Sequence, residues 1–373
     1  LEALLALEDG TLFTGRSFGA PGERTGEVVF NTSLTGYQEV LTDPSYRGQM
    51  VAMTAPHIGN TGINEEDMEA ERPHLEAFLV REVSPVASNW RSRQELAPFL
   101  REHGIVALSE VDTRSLTRHV RACGAMRAAV STEDLSAASL VAKAQGAPSI
   151  SARRLVQDVS CREPFEWTSG VPGEWGLSAR PAVASRHVVV YDCGVKRSIL
   201  CCLVEAGCRA TVVPWDTPAA DVLALAPDGI VVSNGPGDPA QVPQTAEAVR
   251  ELLGRWPIFG ICLGHQILGI ALGARTYKLR FGHHGGNQPV LDLRTSRVWI
   301  TAQNHGFALD RASIDERQVE VTQINLNDRT VEGMRHRQWP VFSVQYHPEA
   351  GPGPHDAVSL FGEFVQMMDE WKA

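Results

Sequence analysis

Lysine is nearly absent from this 373-residue chain: only Lys143, Lys196, Lys278 and Lys372 occur among its 34 basic residues. Acidic residues number 44, which leaves a formal charge of −10. The arginines are scattered, with no cluster to neutralise a run of phosphates, so no nucleic-acid partner is expected. Long apolar runs are missing as well. None approaches the ~20 residues that span a bilayer, so no membrane partner is expected either. The chain opens at Leu1 without the charged and apolar blocks of a secretory leader. The seven cysteines are Cys123, Cys161, Cys193, Cys201, Cys202, Cys208 and Cys262, and no two form a C-x-x-C pair. A structural zinc site is therefore not expected, and the odd, irregular set fits a reducing, cytoplasmic compartment. No glycine-rich nucleotide loop with its lysine is present. The expectation for this chain is no metal and no cofactor.

What is there reads as a globular enzyme or its partner subunit: 43% of residues are hydrophobic and 21% charged. At ~100–200 residues per domain the length predicts two domains, or three. Residues 1–150 have the pattern of an α+β domain. Strands are expected at Glu27–Phe30 and Gln49–Met53, and a helix follows the S-x-x-E pattern of Ser92 and Glu95, with Leu96, Phe99 and Leu100 on its apolar face. A second helix is expected after Asp112, stopping near Gly124. Residues 151–185 read as a linker; turn formers dominate from about 160 onward, with Trp167 and Trp175 among them. From 186 to 373 the rhythm changes. His187–Tyr191 is a continuous apolar run suited to a buried parallel strand, and strands and helices then alternate through Pro257–Ile261 and a helix toward Leu272. That alternation predicts an α/β domain built on a parallel sheet with helices on both faces. Val358, Phe361, Val365 and Met368 mark an amphipathic closing helix.

The chemistry concentrates in three stretches. Gly260-Ile261-Cys262-Leu263-Gly264-His265-Gln266 places a cysteine between glycines where an apolar strand turns into a helix. This is the logic of a nucleophile elbow, with the thiol at a helix N-terminus and the Leu263 N–H aimed at a developing oxyanion. Taken alone, the motif is equally a buried cysteine in a glycine-rich turn. Phe342–Glu349 sets His347 just beyond an alternating strand, with Glu349 two residues on, suiting a base and the carboxylate that orients it. Ser233-Asn234-Gly235-Pro236-Gly237-Asp238-Pro239 offers backbone amides at a strand's carboxyl end, or a plain turn. His283 and His284 project differently along a strand and do not suggest a metal site, while His57 and His305, flanked by glycine, suit structural hydrogen bonds.

These motifs resemble the class I (triad) glutamine amidotransferase family. The N-terminal half narrows the resemblance. Phe30–Tyr46, Pro56-His57-Ile58-Gly59-Asn60, Phe281–Asn287 and Gln303–Phe307 are similar to the small, glutamine-hydrolysing subunits of carbamoyl-phosphate synthetase, over nearly the full length. The resemblance implies an amidotransferase fold for 186–373 behind a small-subunit domain. It implies that Cys262 attacks the glutamine amide, His347 serves as base and acid, and Glu349 orients it. Leu263, Gly235 and Gly237 would supply backbone donors. Ser45, Gln266, Asn304, Gly306 and Phe307 would bind L-glutamine. Ammonia would pass through a channel to a large synthetase subunit, which would bind ATP and Mg and make carbamoyl phosphate for arginine and pyrimidine synthesis. Two positions depart from the pattern: Cys193 stands where an aromatic is usual, and Gly351 where a serine is. The thiol hydrolases that share the elbow, and a docking subunit with a vestigial pocket, are the competing readings; the intact set of Cys262, His347 and Glu349 disfavours the second.

Overall fold

The computed structural model describes residues 1–171 and 186–372. They divide into two compact units, Leu1–Arg153 with Arg280–Gly285, and Arg154–Leu279 with Gly286–Ala373.

The first unit contains a closed barrel, in the order Glu2–Leu7, Leu12–Ser17, Val106–Ser109, Ala77–Leu79, Gln49–Met53, Glu23–Asn31 and Met126–Ser131. Side chains that alternate along a strand go to opposite faces, and the core divides accordingly. Val28, Phe30, Met50 and Ala52 join one apolar cluster with Leu116 and Val120 of the helix Thr113–Cys123. Val29, Val51 and Met53 join another with Leu96, Phe99 and Leu100 of the helix Leu96–Glu102. The expected strands and both expected helices are present. Closure into a barrel was not anticipated, because strands as short as Ala77–Leu79 and Val106–Ser109 carry too little alternation to announce themselves. The helix start also differs from expectation. Glu95, not Ser92, is the N-cap, without a side-chain cap, and the Ser92 hydroxyl instead donates to the Gln94 carbonyl at 3.4 Å.

The second unit is built on a ten-stranded sheet. Its parallel part runs Cys208–Pro214, Arg186–Asp192, Gly229–Val232, Ile258–Ile261 and Val341–Val344. Alternation again sorts the two faces. Val189, Tyr191, Ile230, Val232 and Ile258 pack with the helices Pro243–Leu252 and Leu263–Ala271. Val188, Val190, Val231, Phe259 and Ile261 pack with the helices Arg197–Glu205 and Ser359–Lys372. The sheet is mixed, however. Val331–His336 and Val319–Asn325 continue it in antiparallel fashion beyond Val341–Val344, followed by Thr276–Asp292 and Val298–Leu309. At the other edge Phe165–Trp167 pairs antiparallel with Cys208–Pro214. Of the segment read as a linker, residues 172–185, with Trp175 among them, lie outside the described residues. Among the described residues no helix is long and apolar enough to cross a membrane.

Candidate active site

Three adjacent parallel strands, Gly229–Val232, Ile258–Ile261 and Val341–Val344, end beside one another. The carboxyl ends of such strands are where open α/β sheets place their ligands. Cys262 follows the middle strand and caps the helix Leu263–Ala271, with φ 55° and ψ −105°. A non-glycine residue in that region costs about 1–3 kcal/mol and persists only where its surroundings enforce it. Here the Cys262 N–H donates to the Val344 carbonyl at 2.9 Å, and its carbonyl accepts from His265 N–H at 3.0 Å. The flanking glycines are required by space. A Cβ on Gly264 would lie 2.0 Å from the Val232 carbonyl oxygen, and one on Gly260 would lie 2.7 Å from that of Gly264. Gly264→Ala should therefore lower stability by about 2 kcal/mol or more, the cost typical of overpacking a tight site, and should displace the thiol. A urea midpoint and a glutamine turnover close to those of the unaltered chain would contradict this tight packing.

The Cys262 thiol is buried, 3.6 Å from the Asn304 carbonyl oxygen. His347 is buried too, and its Nδ1 lies 2.7 Å from Glu349 Oε1. Ionised carboxylates only accept, so Nδ1 carries the proton and Nε2 is left as the base. Burial by itself would lower the His347 pKa. Glu349 and Cys262 outweigh burial and hold the imidazole above its ordinary range, so a proton taken up at Nε2 is well held on the ring. Glu349 is opposed by burial in the same way, yet Lys196 and His347 pull its carboxyl down to about 2.

Lys196 was not among the residues expected at the site. Its ammonium donates to Glu349 Oε1 at 2.9 Å and to the carbonyls of Ala350 at 2.8 Å and Gly351 at 2.7 Å. Both partners of this ion pair are buried. A lysine capping the helix Arg197–Glu205, in a chain with so few, was the available signal. His265, closer in sequence to the nucleophile, is not the base. Its Nδ1 lies 2.8 Å from Ser343 Oγ, and burial pushes its pKa down to about 3, so it stays neutral.

The other expected residues fall as follows. Gly235 and Gly237 lie in the loop after Gly229–Val232. A Cβ on Gly235 would lie 2.0 Å from the Cys193 carbonyl oxygen, and Gly237 adopts φ 85°. The loop is braced where Ser233 Oγ accepts from Cys193 N–H at 3.0 Å and donates to the Asn234 carbonyl at 2.8 Å. Leu263 is the first residue of the Cys262-capped helix. Asn304, Gly306 and Phe307 lie on the strand Val298–Leu309. Gln266 directs its amide N–H groups into the protein, to the Phe307 carbonyl at 2.7 Å and Gln345 Oε1 at 3.0 Å. Ser45 belongs to the first unit, where its N–H donates to Asp43 Oδ1 at 2.8 Å.

A strained thiol, an oriented imidazole and glycine-shaped amide loops make an acyl-transfer site. Comparison with known proteins decides its family. Residues 189–367 match the family model for class-I glutamine amidotransferase, and residues 5–130 match the CPSase domain of the carbamoyl-phosphate synthase small chain. Over 374 residues the sequence is 55% identical to the carbamoyl phosphate synthase small chain of Syntrophotalea carbinolica, covering 99% of this chain and 98% of that one. The chain belongs to the carbamoyl phosphate synthase small-chain family. The Thermosynechococcus vestitus small chain is 53% identical, with 99% and 97% covered. The chloroplastic small chain of Oryza sativa is 48% identical, with 98% and 82% covered. As a small chain with a class I amidotransferase domain, it has glutaminase activity, which serves carbamoyl phosphate synthesis.

Proposed function

We propose that glutamine is hydrolysed through a covalent intermediate on Cys262. His347 Nε2 takes the thiol proton, and the Cys262 sulfur adds to the side-chain amide carbon of L-glutamine. When the tetrahedral intermediate collapses, the C–N bond breaks and the imidazolium gives its proton to the departing nitrogen. Ammonia leaves and a γ-glutamyl thioester remains. Water then adds to the thioester carbon while His347 accepts its proton. The C–S bond breaks, glutamate is released and the thiol is restored. Glu349 holds the imidazole and balances its charge during both additions. The backbone amides of Leu263 and of the Gly235–Gly237 loop face the oxyanion. Gln266, Asn304, Gly306 and Phe307 bind the substrate, and the resemblance adds Ser45.

The ammonia passes through an internal channel to a large synthetase subunit, the heterodimer partner. That subunit uses bicarbonate, Mg and two ATP to form carbamoyl phosphate for arginine and pyrimidine synthesis in the cytoplasm. The observation that carries the hydrolytic part is the buried Nδ1–carboxylate contact of His347 and Glu349, which leaves Nε2 as the base for a thiol held at positive φ.

Mass spectrometry after acid quenching tests the thioester. A γ-glutamyl adduct should appear on the peptide carrying Cys262 during turnover and be absent from Cys262→Ser. Label on another residue would contradict the mechanism. Ser45→Ala should raise the glutamine KM by the loss of one hydrogen bond, about 0.5–1.5 kcal/mol. An unchanged KM would remove Ser45 from the binding set.

A further inference from the structure

The segment Ser343–His347 meets the first turn of the Cys262 helix through alternate side chains. Ser343 Oγ is 2.8 Å from His265 Nδ1, and Gln345 Oε1 accepts from Gln266 Nε2 at 3.0 Å. His347 follows two residues further on, with Nδ1 on Glu349 Oε1 at 2.7 Å. The strand Val341–Val344 ends within this segment, yet its alternate residues Ser343, Gln345 and His347 supply two supports for the helix that carries the nucleophile and the base beside it.

Of the two supports, Gln345 bears on substrate recognition. It is fully buried. Gln266 Nε2 also donates to the Phe307 carbonyl at 2.7 Å. A carbonyl cannot donate, so this contact fixes which end of the Gln266 amide is nitrogen. The second N–H of that nitrogen then needs an acceptor, and Gln345 Oε1 is the acceptor present. With both N–H groups held, Gln266 Oε1 is locked in one orientation, and the Phe307 carbonyl is tied to the helix. Gln345 Nε2 has no hydrogen-bond partner among the described residues, so Gln345 acts through its oxygen.

We propose that Gln345 is a positioning residue for L-glutamine, holding the Gln266 amide and the Phe307 segment in their binding geometry. This role rests on the reading of Gln266 and Phe307 as substrate contacts. Without the acceptor, one buried N–H of Gln266 is orphaned and the amide can turn over. Gln345→Met keeps the length and removes the acceptor. The glutamine KM should rise about tenfold, the equivalent of one lost buried hydrogen bond, while kcat stays within about threefold, because the Cys262–His347–Glu349 contacts are untouched. Iodoacetamide should alkylate Cys262 at the unaltered rate, and about ten times more glutamine should be needed to protect it.

A double-mutant cycle identifies the route of action. If Gln345 works through Gln266, Gln345→Met/Gln266→Met should have the KM of Gln266→Met alone. Multiplicative effects would overturn the proposal, as would an unchanged KM for Gln345→Met, or a loss confined to kcat with slowed alkylation. Should Gln345→Met fail to fold, Gln345→Glu retains an oxygen acceptor and decides the matter. A KM within about threefold of the unaltered chain supports the role, since the bond is kept, and a rise beyond that overturns it. An unaltered chain whose alkylation glutamine does not slow would sink the underlying reading of the pocket, and this role with it. An unchanged KM in an active protein would sink the role alone.

Discussion

Cys262→Ser should lower glutamine hydrolysis by at least ~10³-fold, as loss of a nucleophile does when the triad acts as a unit. Ammonia-dependent carbamoyl phosphate synthesis by the complex reconstituted with a large subunit should persist at the level of the unaltered protein. Serine at this position keeps the turn, because its requirements are backbone ones: the bond to Val344 and the cradle of Gly260 and Gly264. What serine lacks is a readily ionised atom. The His347 imidazole, held above its ordinary range, can take the proton of a thiol, which is ordinarily lost near pH ~8.5, but not the far less acidic proton of a hydroxyl. Assaying both nitrogen sources on one preparation separates loss of chemistry from loss of folding. Retained glutamine use would remove Cys262 from the reaction, whereas loss of both activities would point to a collapsed fold.

Lys196→Met should be the most costly single change behind the triad. Removing one partner of a buried ion pair leaves the other charge uncompensated, at about 3–5 kcal/mol. Two carbonyls, of Ala350 and Gly351, also lose their donor. The pH dependence has a definite sign. Glu349 has a folded pKa of about 2 against an ordinary 4.5, and Lys196 is the larger of the partners that lower it. A depressed carboxyl contributes stability that is fully present above 4.5 and is lost as pH falls toward 2. The stability deficit of Lys196→Met should therefore be full at neutral pH and narrow as pH drops below 4.5. Denaturant midpoints measured across pH check this. A deficit that stays constant through that range would mean that Lys196 acts by packing rather than by charge. Glutamine hydrolysis should fall as well, since Lys196 no longer fixes the carboxylate that orients His347.

How much of this could be read from residues alone depended on whether a feature was local. The elbow was legible because Gly260, Cys262 and Gly264 are neighbours, and the need for small residues around a strained turn is settled within five positions. The parallel strands were legible because burial on both faces makes runs such as His187–Tyr191 continuously apolar. Lys196 was not, since its partner lies 153 residues away and no spacing rule connects them. The barrel escaped for the same reason: Ala77–Leu79 pairs with Gln49–Met53 on one side and Val106–Ser109 on the other, each across an intervening segment. Ser92 misled because the capping pattern is a statement about an isolated helix start. In the fold its hydroxyl finds the Gln94 carbonyl, and the helix begins after Glu95. Gln266 was recognisable as a site residue, but the cost of keeping both its N–H groups bonded in a dry interior became visible only with Gln345 beside it.

Glutamate release from L-glutamine tests the central claim most directly, measured on the purified chain alone and with a carbamoyl-phosphate synthetase large subunit. The account predicts a low rate that rises with the partner and vanishes in Cys262→Ala. No release in either setting, from folded protein with its thiols reduced, would contradict it.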